Sequence, residues 1–161
     1  MGLPDQEQID KMHRYFAVEC NNRAWELTEQ ATRTDEENRE LRDAAHAAAF
    51  HWSKVGGSVN DMRARLLLAE VASHEGDGER ALALAQECST YFADAEESTD
   101  WDRAFSTLEL AYATAVCGRA EDVPALLEQA AAQGEQLAEK GDREFFAERH
   151  QLISGLIEAT A

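Results

Sequence analysis

The chain has 161 residues, 32 of them acidic against 15 basic, and a formal net charge of −17 at neutral pH. A surface of that sign repels phosphate backbones, which argues against nucleic-acid binding, and no run of residues approaches the roughly 18 apolar positions of a membrane span. Three cysteines, Cys20, Cys88 and Cys117, share no CxxC spacing and fall on apolar helical faces, the pattern of small buried hydrophobes in a reducing compartment.

The length fits a single domain spanning 1–161. The opening run from Met1 to Gln6 carries neither the basic nor the apolar stretch of a secretory leader, so a cytoplasmic address is expected. The negative charge is uneven: residues 1–80 hold 16 acids and 10 bases, whereas residues 81–161 hold 16 acids and 5 bases.

Apolar periodicity predicts seven helices and no strand. The first runs from about Asp5 to Ala31, with Ile9, Met12, Phe16, Cys20 and Leu27 on one stripe and Tyr15, Val18, Asn22 and Trp25 on a second. Thr34 and Glu37 form a capping box for the second helix, which carries Leu41, Ala45, Ala48, Trp52 and Val55 and stops at Gly56-Gly57. Ser58 opens the third, through Met62, Leu66, Ala69 and Ser73 to Gly76. Asp77 caps the fourth, whose face is Ala81, Leu84, Ala85, Cys88 and Phe92, and the acidic segment 94–100 reads as a loop. Thr99 and Asp102 cap the fifth helix, with Trp101, Ala104, Phe105, Leu108, Ala111, Tyr112 and Ala115 on its stripe, and Gly118 ends it. Pro124 lies in the opening turn of the sixth, where its missing N–H is harmless; that helix uses Val123, Leu126, Ala130, Leu137 and Ala138, with Gly134 allowing close packing. Asp142 caps the seventh, which carries Phe145, Leu152, Ile153 and Leu156.

The turn signals recur at a fixed interval of 42 residues in two series: Thr34, Gly76, Gly118 and Gly57, Thr99, Gly141. Stacked helical hairpins produce such a period, because each hairpin buries its apolar face against the next. The run from Leu68 to Leu82 resembles the centre of a tetratricopeptide repeat: Ala69 stands where the paired helices approach, Gly76 where helix A ends, and Ala81 where helix B begins its packing face. Leu110-Ala111, Gly118, Val123 and Ala130 repeat the pattern. The resemblance implies an all-α array of three hairpins with a C-terminal capping helix, and a concave face that binds a peptide or partner segment.

Residues that carry chemistry are sparse. His46 and His51 are five apart on one helix, about 140° around its axis, so they cannot grip one metal as an i, i+4 pair would. One of them could meet His13 or Glu19 from the neighbouring helix. Asp35-Glu36-Glu37 favours a helix N-terminus, and neither a nucleophile elbow nor a phosphate or dinucleotide loop is present. No catalytic residue, metal ligand or cofactor is assigned.

Aligning the hairpins by the period places Asn21, Arg63 and Phe105 in one groove-facing row and Thr28, Glu70 and Tyr112 in the next. Asn21, Arg63, Glu70, Phe105 and Tyr112 are therefore the candidate partner-binding residues, a set suited to a peptide and its carboxylate. The expected function is a non-enzymatic, cytoplasmic interaction module with a protein or peptide partner, and with neither nucleic acid nor membrane. Two alternatives stand beside it: a small-molecule or metal-binding protein using the His46, His51 and Trp52 region, and a self-associating structural protein that forms a homo-oligomer.

Overall fold

Side-chain caps begin four of the helices at the residues the sequence indicates. In α1 (Gln6–Thr28) the Asp5 carboxylate accepts from the Gln8 backbone N–H at 2.8 Å, and the Gln8 side chain accepts from the Asp5 N–H. The same reciprocal box joins Thr34 to Glu37 at the start of α2 (Asp35–Val55) and Thr99 to Asp102 at the start of α5 (Asp100–Val116). Asp77 accepts from the Arg80 N–H to open α4 (Gly78–Asp94). Each cap is worth about 1 kcal/mol. With α3 (Ser58–Glu75), α6 (Val123–Glu135) and α7 (Lys140–Thr160), the fold is all-α, and no strand occurs among the described residues. The computed structural model describes residues 3–160, so Met1 and Gly2 of the opening run and the terminal Ala161 lie outside the described residues. The chain divides into two compact units, residues 1–67 and 68–161, with the division inside α3.

In the first unit α1 and α2 pack antiparallel, His13 meeting His51 while Arg23 meets Glu40. Ala17, Ala24 and Leu27 of α1 and Leu41, Ala45 and Ala48 of α2 are buried, and the Arg23 guanidinium grips both Glu40 oxygens at 2.7 and 2.8 Å. The first apolar stripe expected of α1 is corrected here: Met12 and Phe16 are exposed, as are Tyr15 and Val18 of the second. The small residues Ala17 and Ala24 occupy the buried face and leave the larger side chains at its margin.

In the second unit α5 packs against α4, α6 and α7. It is buried almost all round, from Asp102 through Ala104–Glu109 to Ala111–Thr114. Ala69 and Ala72 of α3, Ala81 and Ala85 of α4 and Ala113 of α5 form one buried cluster. The 42-residue period is present here in backbone detail. Gly76 (φ 77°) and Gly118 (φ 81°) adopt the left-handed conformation. The Asp77 N–H donates to Ala72 O and the Gly76 N–H to Ser73 O; the Arg119 N–H donates to Thr114 O and the Gly118 N–H to Ala115 O. These are two copies of one Schellman turn.

Three boundaries differ from expectation, the first being the end of α1, which stops at Thr28 and leaves Ala31 outside the helix. Helix α6 stops at Glu135, so Leu137 and Ala138 fall in the following turn, and Gly141 and Asp142 lie inside the first turn of α7 instead of ending and capping helices. The Arg143 side chain causes the early restart: it donates to the carbonyls of Leu137 and Ala138, satisfying the connection from within α7. Leu137 remains buried.

Gly134 holds α6 against α7, because a Cβ there would enter the Phe146 ring. Alanine at an ordinary helical glycine stabilises by about 1 kcal/mol. Gly134→Ala should instead destabilise this protein by about 1–3 kcal/mol through overpacking. Urea unfolding monitored by circular dichroism checks this, and a gain in stability would contradict the close contact.

Candidate functional site

Three elements of the second unit supply a buried polar seam. Spacings of three and four residues put Glu70, Ser73 and His74 on one face of α3, and the same rule pairs Glu109 with Tyr112 on α5. Arg149 of α7 forms an ion pair with Glu70, both side chains being under 5 % exposed. His74 Nε2 lies 3.3 Å from Glu70 Oε1, and His74 Nδ1 lies 3.2 Å from the Tyr112 hydroxyl. One tautomer serves the whole chain of contacts: the Tyr112 O–H donates to Nδ1, and Nε2–H donates to the Glu70 carboxylate. Ser73 donates to Glu109 Oε1 at 2.9 Å. Burial pushes the Glu109 carboxyl up to about 8, against a smaller opposing effect of the Ser73 hydrogen bond. Glu109 is therefore a neutral acid at pH 7.

A hydroxyl, an imidazole and a carboxylate in sequence can relay a proton. Here the hydroxyl is closed off, since Tyr112 is 3 % exposed. An open cleft of about 420 Å³ in this unit lies apart from it, between Ala131, Gly134 and Glu135 of α6 and Arg143, Phe146, Ala147 and His150 of α7. The seam links α3, α5 and α7 through side-chain contacts.

The second constellation is the outer face of the α1–α2 pair. His13 Nδ1 and His51 Nδ1 lie 2.7 Å apart. Burial and the neighbouring His13 both lower the His51 pKa below the usual histidine value. Phe16 and Phe50 flank the His51 ring at 5.6 and 5.4 Å, Phe50 also lies 6.1 Å from His13, and Tyr15 meets Phe16 edge-on at 5.3 Å. Lys54 Nζ stands 5.0 Å over the Phe50 ring. Four of these neighbouring side chains are well exposed: Met12 52 %, Tyr15 59 %, Phe16 41 % and Phe50 55 %.

The residues expected to bind a partner are distributed over both units. Asn21 is half-buried on α1 and Arg63 is exposed on α3 in the first. Glu70, Phe105 and Tyr112 belong to the second and are buried. Glu70 and Tyr112 are brought together through His74, while Phe105 packs between Trp101 at 4.3 Å, Phe145 at 6.3 Å and Phe146 at 5.1 Å. In this structure these three face internal partners. Thr28, from the same expected row, is also buried, and its hydroxyl donates to Trp25 O. Of the histidines expected to meet across helices, His51 does so and His46 is exposed.

The seam residues Ser73, Glu109 and Arg149 were outside the expected set. A signal for two of them exists: Glu109 sits between Phe105 and Tyr112, and Arg149 between Phe145 and Ile153, each a charge on an otherwise apolar stripe. Cys88 is buried, and Cys20 and Cys117 are half-buried. No protein-family model, curated protein or solved structure matches the chain.

The raised Glu109 pKa makes a signed prediction. The native state holds the proton more tightly than the unfolded chain between about pH 4.5 and pH 8, so this group's contribution is fully present below that window. It is lost as pH rises through the native value, by at most roughly 1.4 kcal/mol per pH unit. Glu109→Gln keeps a neutral hydrogen-bonding group and should flatten the decline. Urea midpoints from pH 5 to pH 9 check this, and equal slopes for the two proteins would contradict the buried neutral acid.

Proposed function

We propose that the chain is a non-enzymatic protein-interaction module whose contact surface is the aromatic outer face of α1 and α2. One observation carries this: Met12, Tyr15, Phe16 and Phe50 are exposed together, and ring contacts through His51 join the aromatics into one patch. Scattered exposed apolar residues are ordinary, whereas a connected group with a polar rim marks a contact site. Its polar edge includes Lys54, already stacked on Phe50, and exposed Glu19, which shares the Tyr15 and Phe16 face of α1. Tyrosine and phenylalanine bring large contact area at little conformational cost.

The tetratricopeptide resemblance of residues 68–82, and the Schellman turn repeated 42 residues apart, support a rigid helical scaffold of the kind that displays binding faces. The strong net negative charge favours a protein partner over nucleic acid. The mechanism is positional: preformed helices hold the rings, and association covers them. The buried seam around Glu70 and Tyr112 gives the second unit its rigidity in this scheme.

Native-lysate capture comparing wild type with Phe16→Glu/Phe50→Glu tests the surface. Aromatic anchors at interface centres are worth about 2 kcal/mol or more each, so a bound protein should fall by well over tenfold while helicity is unchanged. Equal capture by the two proteins would move the contact surface away from this face.

A further inference from the structure

We infer that His13 and His51 are one half of a tetrahedral zinc site, and that a second copy of this chain supplies the other half. The observation is the convergence of two imidazole Nδ1 atoms, 2.7 Å apart, from two different helices. They meet within the exposed aromatic patch, so the inference presupposes that this patch is a contact surface.

Two neutral imidazoles are ordinary zinc ligands. Zinc–nitrogen bonds of about 2.0–2.1 Å at tetrahedral angles separate the nitrogens by about 3.3–3.4 Å. The pair would open by roughly 0.6 Å, a movement within the reach of side-chain rotation. Zinc would replace the direct contact between the rings. Among the described residues no third His, Cys, Asp or Glu joins the pair to complete a site within one chain. Two ligands leave two tetrahedral positions open.

A two-fold dimer fills those positions in one step. In an isologous contact the same patch meets itself, so the same two histidines of each copy approach the axis and give four nitrogens. The apolar surroundings suit this arrangement, since Phe16 and Phe50 flank the pair and Met12 adds to the exposed surface. Glu19 on the Tyr15 and Phe16 face of α1 and Lys54 over Phe50 give the patch both signs, so it can face its own copy. Area also points to a metal-dependent dimer. Four half-exposed large side chains offer on the order of 400 Å², about half of what a stable interface buries per partner. The patch alone gives weak association, and the metal bonds supply what is missing.

Sedimentation velocity of the full chain, titrated with zinc chloride and then with excess EDTA, tests the inference. Expected are a monomer without zinc, a dimer complete at one zinc per two chains, and reversal by EDTA. His13→Ala and His51→Ala should each raise the zinc concentration needed for dimerisation at least tenfold, while His46→Ala, altering an exposed neighbour, should leave it unchanged. The conservative variant His51→Gln should also lose the zinc response, separating ligand loss from a packing defect. A mass that stays monomeric at one equivalent of zinc overturns the inference. So does a zinc-dependent dimer that survives loss of both histidines, or zinc bound at one per chain without association. A dimer indifferent to EDTA overturns the metal bridge and keeps the contact face. Failure of the contact face itself would appear separately, as lysate capture insensitive to Phe16→Glu/Phe50→Glu.

Discussion

Close approach of helix backbones at small side chains is the constraint on which the rest depends. Ala17, Ala24, Ala45 and Ala48 are fully buried in the first unit, and Ala69, Ala81, Ala85, Ala111, Ala113 and Ala130 in the second. Alanine carries little apolar area, so each burial stabilises modestly compared with leucine or phenylalanine. What alanine provides is proximity, and with it dense dispersion contact along the helices. Gly78 shows the limit of that approach: a Cβ there would stand 2.7 Å from the Cys117 Cα and the Val116 carbonyl. Only glycine fits this register.

Tight helix spacing has a second consequence, which is that long side chains have few places to go. In the second unit α5 is so enclosed that Asp102 and Glu109 are buried along with its apolar residues. Each then requires a specific answer. Asp102 receives the Thr99 hydroxyl and backbone N–H within a capping box. Glu109 keeps its own proton because of burial and accepts a hydrogen bond from Ser73. Glu70 is matched by Arg149 and His74. Apolar replacements of similar volume often stabilise as well as a buried ion pair does. The value of such a seam is therefore geometric, because one register of α3, α5 and α7 satisfies it and a shifted one strands a charge.

Local chemistry was legible in the sequence and long-range partnership was not. Caps at Thr34 and Thr99 and stops at Gly76 and Gly118 are decided within four or five residues, so they could be read directly. The start of α7 could not, because it depends on Arg143 reaching back to the carbonyls of Leu137 and Ala138. The period placed Glu70 and Tyr112 in equivalent positions, yet their connection runs through His74, which the period does not index. Helical periodicity also assigned Met12 and Phe16 to the core, because a stripe shows which residues share a face without showing how wide the buried strip is. Where alanines set the spacing, that strip is narrow, and the residues at its edge emerge at the surface.

The two units thus place polarity and apolarity in opposite ways. Residues 1–67 hold 12 acids and 9 bases, whereas residues 68–161 hold 20 acids and 6 bases. The strongly acidic unit hides some of its charges in a satisfied interior, and the nearly balanced unit shows its aromatics to solvent. For an isolated chain the second choice is costly, since polar residues at positions 12, 15, 16 and 50 would serve solubility better. The small net charge of residues 1–67 has the opposite merit, because it lets another surface approach without strong repulsion. The acidic unit resists unwanted contact, and the aromatic one is suited to a chosen contact. That division is what supports the proposal that the α1–α2 face, with the histidine pair within it, is where association takes place.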